Sequence, residues 1–334
     1  MNKKVKWGVL GVASIATRKV IPGMKKGVWS EITAIASRDL AKAQAAARDL
    51  GISKAYGSYD DLLADGEIEA IYNPLPNHLH VPWSSKAAEA GKHVLCEKPI
   101  GLNATEVVEL LRIRDRSKLK IGEAFMVKTH PQWLRARELV RSGKIGQLKS
   151  IITVFSYFNR DPGNVRHKTE WGGGGLLDIG SYPITLSRWL FDEEPRRVTG
   201  ALELDPDFGT DRLSSGVLEF SSGHSVFSCA TQGNYFQRAE ILGTAGHLTV
   251  EMPFNAPNDR PTYLTVADGM AIYDGKVDVE EIPVCDQYTI QGDAFSRAIR
   301  ENTDVPVGLE DALANMKVID AIFRSSRTNQ WETP

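Results

Sequence analysis

The chain of 334 residues holds only three cysteines, Cys96, Cys229 and Cys285, and none stands in a CxxC spacing. A count so sparse and odd argues against a disulfide framework and against a thiolate zinc cluster, and it points to a reducing compartment. Charge of one sign is missing too. Lys and Arg number 40 against 42 Asp and Glu, a formal net charge of -2. No basic block and no interleaving of aromatic with Arg residues offers a footprint for nucleic acid. Long apolar runs are absent, so no membrane span is expected. The opening MNKKVKWGVLGVASIA sets basic residues before apolar ones, but Gly8 and Gly11 break it. It reads as a strand running into a turn, not as a secretion leader. Repeats and low-complexity linkers are lacking as well. The remainder, 42% hydrophobic and 25% charged, is ordinary for a globular, cytoplasmic protein long enough for two domains.

What is present is a rhythm. VKWGVLG, EITAIAS, EAIYNPL, HVLCEK and KIGEAFM are short apolar runs, and helix-like segments separate them. Ser58 with Asp61, and Asn103 with Glu106, form cap pairs at two helix starts, and Gly51 closes an Ala-rich helix. Such alternation predicts an α/β domain over residues 1–127, a parallel sheet with helices on both faces. From residue 128 the pattern changes. One helix, PQWLRARELVRSG, leads into the long strand LKSIITVFSYF, and GVLEFSSGHSVFSCAT reads as a hairpin turning at Ser-Ser-Gly. AEILGTAGHLTVE and TYLTVADG add strands, and helices around Tyr288–Arg300 and Leu309–Arg324 close the chain. Residues 128–334 are therefore expected to form an α+β domain, with a C-terminal helix available to pack back on the first.

Directly after the first strand, GVLGVASIA places Gly11, Ala13 and Ala16 where a dinucleotide fingerprint G-x-G-x-x-G/A has its small residues. Alone this is equally a plain strand-to-helix turn. Inside repeated βαβ units it marks a nucleotide site, with Gly11, Val12, Ala13, Ser14 and Ile15 bringing a helix N-terminus to a pyrophosphate. After the second strand, Ser37 and Arg38 stand where an NAD-binding chain carries an acid, and Lys42 follows one turn on. A hydroxyl, a guanidinium and an ammonium suit a 2′-phosphate, so NADP is the expected cofactor. Asp39 reads as an N-cap or first-turn acid, and an ordinary solvated charge is the plain alternative for Arg38.

GVLGVASIA, PLPNHLH, AGKHVLCEKPIG, GGGGLLDIGSY and ILGTAGHL, in this order, resemble the Gfo/Idh/MocA oxidoreductases over most of the chain. The resemblance implies a Rossmann domain, a doubly wound parallel sheet, followed by a domain built on a large, mostly antiparallel open sheet that pairs two copies into a homodimer or larger. It puts Leu75, Pro76, Asn77, His80, Glu97, Lys98 and Trp171 beside the cofactor. It also makes Lys98, Asp178 and Tyr182 the catalytic set. Tyr182 stands where many members carry His, as in the branch with glucose-fructose oxidoreductase, NADP-dependent aldose dehydrogenases and dimeric dihydrodiol dehydrogenases.

The residue types suit oxidation of a carbon bearing a hydroxyl, because hydride can leave only as the hydroxyl proton leaves. A free Tyr titrates near ~10 and needs a cation to act as base, a role for Lys98. Asp178, four residues before Tyr182, shares its helical face and would accept from a sugar hydroxyl or orient Lys98. A half-buried aromatic and a helix-start acid are the plain readings of Tyr182 and Asp178. Phe158, Arg166, Tyr235 and Tyr288, with Trp171, are expected at the second domain's sheet surface as substrate contacts, though each reads equally as core or surface. His78 and His80 have no third ligand, so no metal is expected. The expected reaction is oxidation of an aldose at C1, with diol dehydrogenation, sugar-to-sugar transfer or a non-catalytic NADP-sensing regulator as alternatives. Gly172 to Gly175 would let backbone pass close to nicotinamide and substrate, and Pro183 calls for an irregular turn between Asp178 and Pro183.

Overall fold

The computed structural model describes residues 3–269 and 275–334. Met1 and Asn2, at the head of the stretch weighed as a leader, lie outside the described residues. The chain divides into two compact units, Met1–Thr129 with Asp286–Leu313, and His130–Cys285 with Ala314–Pro334.

The first unit is built on six parallel strands, β1 (Val5–Leu10), β2 (Ser30–Ala36), β3 (Lys54–Tyr56), β4 (Ala70–Asn73), β5 (His93–Glu97) and β6 (Ile121–Ala124). Their order β3-β2-β1-β4-β5-β6 is the doubly wound arrangement, whose strand order reverses between β1 and β4. The central strands β1 and β4 are almost wholly buried because helices cover both faces. The expected caps are present. Ser58 Oγ accepts from the Asp61 N–H at 3.0 Å, and Asn103 Oδ1 from the Glu106 N–H at 3.0 Å. Gly51 ends α2 (Leu40–Leu50) at φ +59. The late helix α8 (Gln287–Glu301) also belongs here: Ser296 Oγ accepts from the Trp7 indole at 3.0 Å, and Arg300 grips Glu69 with two bonds of 2.7 Å.

Eight strands form the sheet of the second unit: β7 (Leu148–Phe158), β8 (Arg197–Leu204), β9 (Asp211–Glu219), β10 (His224–Ala230), β11 (Gln232–Gly243), β12 (Gly246–Val250), β13 (Thr262–Asp268) and β14 (Val277–Ile282). Their order is β14-β13-β12-β11-β7-β10-β9-β8, antiparallel everywhere except where β10 runs parallel to β7. The β9–β10 hairpin turns at Ser221-Ser222-Gly223, closed by the Phe220 N–H on the Gly223 carbonyl. One face of the sheet carries α7 (Ser181–Phe191) and the π-helical turn Leu176–Gly180 that leads into it.

Candidate active site

The first unit gathers the nucleotide-type residues at the carboxyl ends of β1, β2, β4 and β5. Gly11 closes β1 at φ +83, a left-handed conformation, and an added Cβ would lie 3.0 Å from Leu75 Cδ2. Val12 and Ala13 follow, and the helix opens at Ser14 and Ile15. Its first N–H groups have no intrahelical partner, which is the condition for receiving a phosphate. Tyr59, at the start of α3 (Tyr59–Ala64), brings its hydroxyl within 3.6 Å of the same Cβ position and lies within electrostatic reach of Arg38. The exposed guanidinium of Arg38 is thereby drawn toward the Gly11 turn. Lys42 is exposed one turn along α2, and Ser37 Oγ accepts from the Asp39 N–H at 3.2 Å. Asp39 is the helix cap, taking the N–H groups of Ala41 and Lys42. Asp39 is committed to the helix cap while Arg38 and Lys42 stay exposed beside the turn, so cradle and cations together fit NADP.

At β4 and β5, His80 is 1% exposed and its two ring nitrogens lie 2.7 Å from the Pro99 carbonyl and 2.6 Å from that of Leu75. Burial pushes it down to about 4. The two carbonyls pull the other way, since only the charged ring donates to both. His80 was expected at the cofactor; its nitrogens are instead spent on tying the Leu75–Pro76 loop to the backbone next to Lys98. Glu97 accepts from the buried Tyr72 hydroxyl at 2.6 Å. Tyr288 was expected on the second domain's sheet. The structure places it in the first unit, at the start of α8, where burial and the Glu97 charge push its phenol up. Pro76, Asn77 and Lys98 are half-buried on the same rim.

In the second unit, Asp178 lies in the π-helical turn and Tyr182 in the first turn of α7. Asp178 Oδ2 accepts from Tyr157 Oη and from Arg166 Nε, each at 2.6 Å. The Asp178 charge holds the Arg166 guanidinium above its usual range, with Tyr182 also within its electrostatic reach. Tyr182, 6% exposed, sits against Phe254 and Phe155 with ring centroids 5.1 and 5.9 Å away. Asp178, Tyr182 and Arg166 are thus brought together, with Tyr157 added. Trp171 is half-buried in the turn Thr169–Trp171 just before the glycines. Phe158 and Tyr235 do not join the cluster: they are 68% and 60% exposed. Tyr157 shares the inward face of β7 with Phe155, so the two-residue alternation of a strand carried the signal for it. Tyr59 and Asp211 (below) gave no sequence signal, because each matters through a contact distant along the chain.

The glycine run has a local cause different from the expected one. A Cβ on Gly173 would fall 2.4 Å from the Arg166 carbonyl oxygen, and one on Gly174 would fall 1.9 Å from Asp211 Oδ1. Gly172 and Gly174 also hold φ of +74 and +110. The protein's own backbone and the Asp211 carboxylate occupy the space where side chains would be. The irregularity called for by Pro183 is the π winding over Leu176–Gly180. Among the described residues no group of His, Cys, Asp and Glu could hold a metal, and no helix is long and apolar enough to cross a membrane.

Comparison with known proteins matches residues 5–125 to the oxidoreductase family with an NAD-binding Rossmann fold, and residues 133–249 to the GFO/IDH/MocA C-terminal domain. An uncharacterized oxidoreductase of Rhizobium meliloti is 44% identical, covering 98% of this chain and 99% of its own. A D-xylose 1-dehydrogenase (NADP(+)) of Haloferax volcanii is 37% identical over 96% of this chain and 97% of its own. A 3-ketoreductase from Actinomadura kijaniata, solved in complex with NADP and TDP-benzene, superposes with a TM-score of 0.90 at 27% identity, covering 97% and 98% of the two chains. With a parallel nucleotide-binding sheet, an open antiparallel sheet and both family regions in place, the chain belongs to the GFO/IDH/MocA family of oxidoreductases.

Proposed function

We propose that the protein is an NADP-dependent sugar oxidoreductase that oxidises an aldose at its anomeric C1 hydroxyl to the lactone. The observation that carries this reading is the helical start bearing Asp178 and Tyr182, four residues apart, with Asp178 fixed by Arg166 and Tyr157. Bound NADP supplies the acceptor for the hydride leaving C1. Tyr182 takes the C1 hydroxyl proton as that hydride departs, so the sugar loses a hydride and a proton, two electrons and two protons in all. Lys98, assigned through the family pattern, stabilises the phenolate and donates to the substrate oxygen. Asp178 keeps Arg166 charged beside Tyr182 and presents its remaining acceptor capacity to a sugar hydroxyl. Such acid–base assistance contributes roughly 10²–10⁴-fold, and the rest comes from holding the reacting carbon in place.

The likeness to a ketoreductase over 97% of the chain favours a second reading in the opposite direction, reduction of a ketosugar by the same residues. An absorbance screen of aldoses with NADP and of ketosugars with NADPH separates the two. Run with NAD alongside, it also tests the cofactor. Charge-assisted bonds contribute about 1.5–3 kcal/mol each, so Arg38→Ala should raise the KM for NADP roughly tenfold or more and leave that for NAD nearly unchanged. A wild-type preference for NAD would overturn the assignment of Ser37, Arg38 and Lys42.

A further inference from the structure

Asp211 opens β9 and is 4% exposed. Its Oδ2 accepts from the Leu176 N–H at 2.6 Å and from Ser214 Oγ at 2.5 Å. The nearby N–H groups of Gly175 and of Asp211 itself also favour the charged carboxylate. Leu176 starts the π-helical turn, and with α7 the helical run continues to Phe191. A carboxylate here satisfies N–H groups that no helical carbonyl can reach, and it faces the positive end of the helix dipole. Gly174 is where the two segments touch most closely, so chain and carboxylate fit each other without room to spare.

We propose that Asp211 is a positioning residue of the reaction: its carboxylate pins the Gly175–Leu176 turn and thereby sets where Asp178 and Tyr182 stand. The proposal rests on the reading of Tyr182 as the proton acceptor. Three features support it. Asp211 reaches the helix two residues before Asp178 and six before Tyr182. The Leu176 donor comes from the turn itself, and the π winding that carries Asp178 and leads into the first turn of α7 begins at the residue it holds. Burial pushes the Asp211 carboxyl up to about 6, against the pull of the hydrogen bonds. The titratable group facing it from β10 is the Cys229 thiol, which burial and the Asp211 and Asp178 charges push up. Arg212, next along β9, is committed to Glu203. Acidification through that range protonates the carboxyl in place and relieves the burial cost of its charge.

The sign distinguishes this from general acid unfolding. A carboxyl whose folded-state pKa is raised binds its proton more readily folded than unfolded. Between pH 6 and the unfolded value near ~3.9, the contribution of Asp211 to stability therefore increases as pH falls. Acidification through this range should therefore cause no loss of Tm traceable to this group.

The test is Asp211→Asn in the full-length protein, read by kcat against pH, by Tm and by amide hydrogen exchange of residues 172–182. The expected result is a kcat lowered about 10–100-fold, the cost of a small misplacement of catalytic groups. The KM for NADP should be unchanged, and exchange faster in 172–182 alone. Wild-type kcat, or unchanged exchange in 172–182, would overturn the proposal. Tyr182→Phe keeps the two readings apart: faster exchange in Asp211→Asn beside full activity in Tyr182→Phe means that the anchor stands and the base assignment fails. Should Asp211→Asn not fold, Ser214→Ala removes one donor from the same carboxylate. A milder loss of kcat with faster 172–182 exchange is then expected, and no change in either overturns the proposal.

Discussion

Single residues carry much of the account, and Gly174 shows how closely. Its backbone sits at φ +110, and the Asp211 carboxylate fills the place of a Cβ at 1.9 Å. Gly91 has a similar positive φ of +76 but open space around it. Gly91→Ala should therefore cost only the backbone strain, about 1–2 kcal/mol. Gly174→Ala must also displace the carboxylate and should cost at least ~2 kcal/mol more. Urea unfolding of the two variants measures the difference, and equal losses would contradict it. The glycines themselves were plain in the sequence, as were Asp178, Tyr182 and Lys98 through their motifs. Their reason was not. Asp211 lies 37 residues beyond Gly174 along the chain, and nothing local marks it as the residue that shapes the run. The same limit applies to Arg166, whose commitment to Asp178 needed the loop before the glycines to fold back.

At the scale of elements, the strands and helices that were legible are those with an apolar run or a cap. β3, β8 and β14 were not. β3 is three residues long, and β8 and β14 are sheet edges with mostly exposed side chains, so neither period nor hydrophobicity marks them. Prolines proved informative in a specific way. Pro22 and Pro183 each follow a π-helical turn, Ala16–Val20 and Leu176–Gly180, and each falls in the first turn of an α-helix. An early position asks least of a residue without an N–H. The open sheet presents a second consequence. Ile152, Val226 and Phe236 on β7, β10 and β11 are 45%, 40% and 47% exposed on one face, with Ile152 opposite Val226. Apolar exposure of this kind across neighbouring strands marks an interaction surface, and we propose that a second copy of the chain covers it. Light scattering should find a dimer or larger for the wild type and a monomer for Ile152→Lys with Phe236→Lys. A monomeric wild type would refute the pairing.

For the molecule as a whole, fold and family followed from pattern and order of motifs, because a βαβ rhythm and a glycine-rich turn are local features. A C-terminal helix was expected to be available to pack back on the first domain; that α8 belongs to the first unit depends on Trp7 meeting Ser296 and Glu69 meeting Arg300 across most of the chain. The cofactor follows from charge at the end of β2, and the chemistry from one phenol. That phenol is the central claim, so Tyr182→Phe tests it most directly. The variant keeps the ring that packs on Phe155 and Phe254 and loses only the hydroxyl. Measured against a sugar that the wild type oxidises, its kcat should fall about 10²–10⁴-fold while NADP binds with unchanged affinity. Wild-type turnover in Tyr182→Phe would contradict the account.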